Sequence, residues 1–139
     1  MRSHLRIVLA LGSGLALSAC ADLGASIRPY TYPPNFTYIS DEKLESTMWQ
    51  LAEEVRWLDA VLRDETRTEP DRQQTVLRLL DQIDETTREL GTDRGVTNHP
   101  LLDAHLPRLR DDVALARSAV ASNPPHYVLA GAVTGACVY

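Results

Sequence analysis

From Ser40 onward the apolar residues fall into stripes. Leu44, Met48, Leu51, Val55, Leu58 and Leu62 step alternately by four and three, while Glu53, Glu54, Arg56 and Asp59 lie off that series. This is the period of an amphipathic helix with one face turned to a core. Val76, Leu80, Ile83, Thr87 and Leu90 repeat the spacing, with Leu79 beside them, and Leu102, Leu106, Leu109, Val113, Ala116 and Val120 repeat it again. A last stretch, from about His126 to Tyr139, is apolar and small and carries no Asp, Glu, Lys or Arg. The pattern predicts four helices over about 41–64, 70–90, 99–122 and 126–139.

The residues between the stripes fit helix ends. Ser40 is a candidate N-cap, and Asp41 and Glu42 follow in a first turn, where the helix dipole favours acids. Pro70 suits the opening of the second helix, Gly91 its C-terminal stop, "GTDRGVT" a turn, and Asn98 the cap of the third. Pro107 falls inside the third stripe, so that helix is either kinked there or begins near it; the unbroken stripe favours the kink. Asn123-Pro124-Pro125 ends it and launches the fourth. Connections this short make neighbours antiparallel. The expected fold is all-α, an antiparallel up-down-up-down four-helix bundle over residues 40–139, with the uncharged fourth helix covered by its neighbours.

The segment before the bundle has a different character. Arg2 and Arg6 precede an apolar run from Ile7 to Leu17, too short for a stable membrane span, and small residues then lead to a cysteine. Residues 1–19 read as a signal peptide. Leu17-Ser18-Ala19-Cys20 resembles the lipobox of bacterial lipoproteins, which implies cleavage before Cys20 and acylation of that residue. An ordinary signal peptide cut after Ala19 would instead leave a free thiol. With Ala rather than Asp at position 21, the resemblance implies a lipid anchor in the outer membrane of a bacterial envelope, facing the periplasm. Residues 20–39 contain Pro29, Pro33 and Pro34 and no helical period, so they read as an extended tether. Tyr30, Tyr32, Phe36 and Tyr38 make it too aromatic to be fully solvated.

Composition narrows the chemistry. The 139 residues hold 14 basic and 19 acidic side chains, and removal of Arg2 and Arg6 makes the balance more acidic still. Without a basic stripe, zinc-ligand spacing or an aromatic platform, no nucleic-acid partner is expected. Without paired carboxylates, a Ser-His-Asp order or a phosphate-binding loop, no enzymatic activity is expected either. Cys20 and Cys137 are the two cysteines, so an acylated Cys20 leaves Cys137 without an internal disulfide partner.

An antiparallel bundle gathers Met48, Leu51, His99, His105 and Cys137 at one end and leaves His126 at the other. Residues 98–139, "NHPLLDAHLPRLRDDVALARSAVASNPPHYVLAGAVTGACVY", resemble the C-terminal half of class II c-type cytochromes, the cytochrome c′ group. Those bundles carry Cys-x-x-Cys-His on the last helix. The resemblance implies haem c, electron transfer and a redox partner in the envelope. It makes Cys137 a remnant haem-attachment point, Met48 a possible distal ligand to iron, and His105 a residue lining the pocket. The second cysteine and the histidine of the motif would follow Tyr139, so the expectation is a motif cut short. Apart from the resemblance, Met48 reads as core filling, His105 as a solvated flank, Cys137 as a small buried hydrophobe, and Trp49 and Trp57 as edge or interface packing. The rival functional reading is a haem-free envelope lipoprotein whose helical bundle is structural or binds another protein.

Overall fold

The computed structural model describes residues 35–91 and 96–135. In chain order they form β1 (Phe36–Thr37), α1 (Asp41–Arg63), α2 (Glu69–Arg88), β2 (Val96–Thr97), α3 (Pro100–Val120) and α4 (Val128–Gly135). The architecture is an all-α four-helix bundle, with β1 and β2 paired in a two-stranded ribbon. All four described helices belong to the unit that begins at Thr37. That unit begins before the expected start at Ser40, because Ile39 is buried and Asn98 grips its backbone. The Asn98 side chain accepts from Ile39 N at 2.8 Å and donates to Ile39 O at 2.9 Å.

α1 starts as its sequence predicts. Ser40 Oγ accepts from Lys43 N at 3.2 Å, and Asp41 and Glu42 occupy the first turn. Its buried positions are Thr47, Leu51, Val55, Leu58 and Val61. The expected stripe is therefore shifted at both ends. Thr47 rather than Met48 faces inward, and Val61 is more deeply buried than Leu62. One residue turns a helix by about 100°, so Met48 sits on the shoulder of α1 instead of its core face.

α2 carries Pro70 in its first turn and buries Val76, Leu79, Leu80, Ile83, Thr86 and Thr87. It ends at Arg88, short of the expected Leu90. The chain leaves through bonds that tighten the last turn, Glu89 N to Thr86 O and Leu90 N to Thr87 O, each 3.2 Å. No described glycine has a positive φ, so Gly91 is not the left-handed stop the sequence suggested. Of "GTDRGVT", residues 92–95 lie outside the described set, and Val96–Thr97 is strand rather than turn.

α3 runs unbroken from Pro100 through Pro107 to Val120, so the helix does not begin at Pro107. That residue has no amide to offer the carbonyl of Asp103, and its ring lies on the exposed side. His99, not Asn98, occupies the N-cap position and gives no side-chain cap. The Asp103 carboxylate reaches back to accept from Thr97 N at 2.9 Å. The short link to α4 contains a cis Asn123–Pro124 bond and is tied by His126 N donating to Ala119 O at 3.1 Å.

The side-chain links fix the directions of α1, α2 and α3. Lys43 at the start of α1 pairs with Glu89 beyond the end of α2, Gln50 Nε2 donates to Thr86 Oγ1 at 2.9 Å, and Trp57 and Val61 line one groove with Leu79 further along. α1 and α2 are thus antiparallel. From α2 to α3, Arg110 pairs with Asp84, Arg117 with Asp81, and Gln73 Nε2 donates to Val120 O at 2.8 Å, so this pair is antiparallel too. α4 packs on α3 and back onto α1. The core is a column led by Leu58, Val76, Leu80, Ile83, Val113 and Val120, closed at one corner by Ala130 and Val133. Full burial of each large aliphatic side chain contributes roughly 1.5–3 kcal/mol.

α4 is where expectation and structure part most. Only Ala130 and Val133 are buried, while Val128 is 85% exposed. The helix is uncharged, yet its neighbours do not cover it. Residues 136–139 lie outside the described set.

Candidate functional site

Two of the residues named for haem, Met48 and His105, are among the described ones. Met48 is 44% exposed on the shoulder of α1. His105 is exposed on α3. The His99 ring lies at the ribbon, with Nε2 3.1 Å from both Ile39 O and Asn98 Nδ2. Asn98 Nδ2 and the ring both approach that carbonyl as donors, which makes this an anchoring contact for the segment before α1. His126 is at the opposite end of the bundle, with Nδ1 3.1 Å from Ser122 Oγ. Cys20 and Cys137 lie outside the described residues. Among the described residues no group of three or more His, Cys, Asp or Glu could hold a metal ion. Of the residues named for haem, the described ones are thus one half-exposed thioether on α1 and one exposed imidazole on α3.

What the described structure does present is two exposed tryptophans on α1, Trp49 on its outer side and Trp57 towards the seam with α2. Trp49 is 67% and Trp57 62% exposed, with Tyr38 just ahead of the helix at 58%. They sit there because the core-facing positions are taken by Thr47, Leu51, Val55, Leu58 and Val61, and both tryptophans lie off that stripe. Around them the surface is polar and paired. Arg56 donates to Glu53 at 2.5 and 2.7 Å, and Arg63 pairs with Asp59. The seam towards α2 is held by a small network in which Gln50 Nε2 donates to both Thr86 Oγ1 and Glu54 Oε1, and Thr86 Oγ1 donates to Glu54 Oε1 at 2.8 Å.

Beyond that network the α1–α2 seam opens into a groove of about 350 Å³, lined by Trp57, Val61 and Leu79 together with Arg67, Arg78 and Gln82. The sequence named Trp57 as edge or interface packing. It gave no sign of the groove, because the α1–α2 turn that shapes one end is built from short-range polar bonds. There Asp64 Oδ1 accepts from Thr66 Oγ1 at 2.6 Å and from Thr66 N at 3.0 Å, and Arg67 pairs with Asp64 and Asp71. The Thr66 hydroxyl and amide, helped by the Arg67 charge, hold the Asp64 carboxyl below the usual carboxylate range.

At the start of α4, Tyr127 Oη donates to Glu69 Oε1 at 2.5 Å. Burial, then the hydrogen bond to Glu69 and its charge, push this phenol up to about 12. The bond fastens α4 to the first residue of α2, opposite the end at which haem was expected.

No helix among the described residues is long and apolar enough to cross a membrane. No family model matches the chain, and neither a curated protein nor a solved structure does.

Proposed function

We propose that this chain is a lipid-anchored envelope lipoprotein whose helical bundle is a protein-interaction module. The observation that carries the reading is the indole of Trp49, 67% exposed on the outer face of α1. An indole left in water is a large apolar surface that the fold gains nothing by displaying. Tryptophan is also among the residues most enriched at the energetic centres of protein interfaces. The partner is a protein offering an apolar pocket for Trp49, with polar groups around it to meet Glu53 and Arg56. The anchor rests on Leu17-Ser18-Ala19-Cys20, and the placement in an outer membrane facing the periplasm rests on Ala21. Electron transfer through haem c is the competing proposal, supported by the likeness of residues 98–139 to class II cytochromes.

One experiment separates them. The chain is produced in a bacterial envelope with a cytochrome-maturation system and a photo-crosslinking residue replacing Trp49. The interaction reading expects one discrete protein adduct from position 49, none from a crosslinker at exposed Glu65 in the α1–α2 turn, and no haem-stained band on a denaturing gel. A haem-stained band, or equal adducts from both positions, would overturn it. Mass spectrometry of the N-terminal peptide tests the anchor, with a lipid adduct on Cys20 expected and an unmodified N-terminus contradicting it.

A further inference from the structure

The groove at the α1–α2 seam does not belong to the interaction reading and stands without it. Its floor is apolar: Val61 and Leu79 are buried side chains of the core, and they back onto the exposed indole of Trp57. Its rim is cationic. Arg67 and Arg78 line it with Gln82, and no Asp or Glu does, in a chain whose acidic residues outnumber its basic ones 19 to 14.

The two arginines are not equivalent. Arg67 has its charge met by Asp64 at 3.2 Å and by Asp71 at 2.7 Å. Arg78 is exposed and makes no hydrogen bond or ion pair with any described residue. Four of the carboxylates on α2 are already engaged, Glu69 by Tyr127, Asp71 by Arg67, Asp81 by Arg117 and Asp84 by Arg88, and the fifth, Glu85, does not line the groove. Among the described residues, a planar donor fork without a partner therefore stands beside an exposed indole.

We propose that this groove binds a small ligand with a flat apolar body and a single carboxylate or similar anionic group. The body lies against Trp57 over Val61 and Leu79, and the anion pairs with the Arg78 guanidinium, with Gln82 as a further hydrogen-bonding group. The volume, about 350 Å³, is at the small end of ligand pockets, which suits a one- or two-ring molecule. An arginine matches a carboxylate with two parallel hydrogen bonds, so the anion fixes orientation while the indole supplies contact area.

The two tryptophans provide the test, because only Trp57 lines the groove and Trp49 serves as an internal control. The full chain, labelled with ¹⁵N, is titrated with 2-naphthoate and separately with neutral 2-naphthamide, and the indole N–H resonances are followed. The expected result is a saturable shift of the Trp57 resonance with naphthoate, an unmoved Trp49 resonance, and at least fivefold weaker binding of the amide. Arg78→Gln is expected to weaken naphthoate at least fivefold while leaving the naphthamide affinity and the Tm unchanged. Trp57→Leu is expected to abolish the response of neighbouring Gln82 side-chain resonances to both compounds. Equal binding of acid and amide, concerted movement of both indoles, no shift at all, or indifference to Arg78→Gln would each overturn the proposal.

Discussion

α2 and α4 invert what their compositions suggest. Eight of the twenty residues of α2 are charged, yet it buries six side chains, among them Val76, Leu80 and Ile83 with no exposure at all. α4 has no charged residue and buries two. The difference lies in the order of residues. In α2 the apolar positions return every three or four residues and the charges fall between them, so one orientation satisfies both. In α4 the apolar residues run all round the helix. Packed against two neighbours, the described part of that helix has one face to bury and another left over. Hydrophobic content says how much surface a segment would gain by hiding; periodicity says whether the fold can hide it.

The largest expected effect lies in α2. Leu80→Ala removes a side chain with no exposure from the centre of the core and is expected to destabilise the bundle by about 2–5 kcal/mol. Chemical denaturation measures this, and a cost near that of a surface change would mean that α2 is not the central helix.

α4 is expected to respond with the opposite sign. A Cβ built on Gly131 meets nothing within 4 Å, so Gly131→Ala should stabilise the free protein by up to about 1 kcal/mol through helix propensity alone. Destabilisation in a thermal melt would show that a neighbour occupies this face.

A smaller effect comes from the bond joining the two regions. Tyr127 donates to Glu69, and its folded pKa is raised from 10.0 to about 12. The folded state therefore holds this proton more tightly than the unfolded one. The contribution is fully present below pH 10 and is lost as pH rises through about 12. The Tm of the wild type is expected to fall more steeply than that of Tyr127→Phe across this window, and parallel curves would contradict the role given to the bond.

Least of all should happen at Leu129, which is 43% exposed. Leu129→Ser is expected to change stability by no more than about 0.5 kcal/mol. A larger loss, read by denaturation, would mean that its side chain is covered.

The same contrast marks what could be read from the chain. The α2 stripe of Val76, Leu80, Ile83 and Thr87 with Leu79 was legible in full, as were Leu51, Val55 and Leu58 in α1 and the Ser40 cap. Regular spacing over several turns leaves a helix one way to lie. Stripe ends were less legible. Met48 outranks Thr47 in hydrophobicity, but the threonine faces inward because position follows the helix rotation. Leu102 and Leu109 of α3 are half-buried for a related reason: they fall on the border of its core face. Asn98 is a good cap by type, yet its amide group is spent on Ile39, a contact 59 residues away that no local rule reports. The groove was hidden for the same reason, since Trp57 and Arg78 lie on different helices and only the packing of α1 on α2 makes them neighbours.

Amide hydrogen exchange, resolved by residue, compares α2 and α4 in a single measurement. The account predicts that the amides of Leu80 and Ile83 exchange only through global unfolding, and that those of Ala132 and Val133 exchange through local opening and are protected orders of magnitude less. Equal protection of the two helices would contradict it, because an apolar helix with an uncovered face would then be as firmly held as the patterned one at the centre of the core.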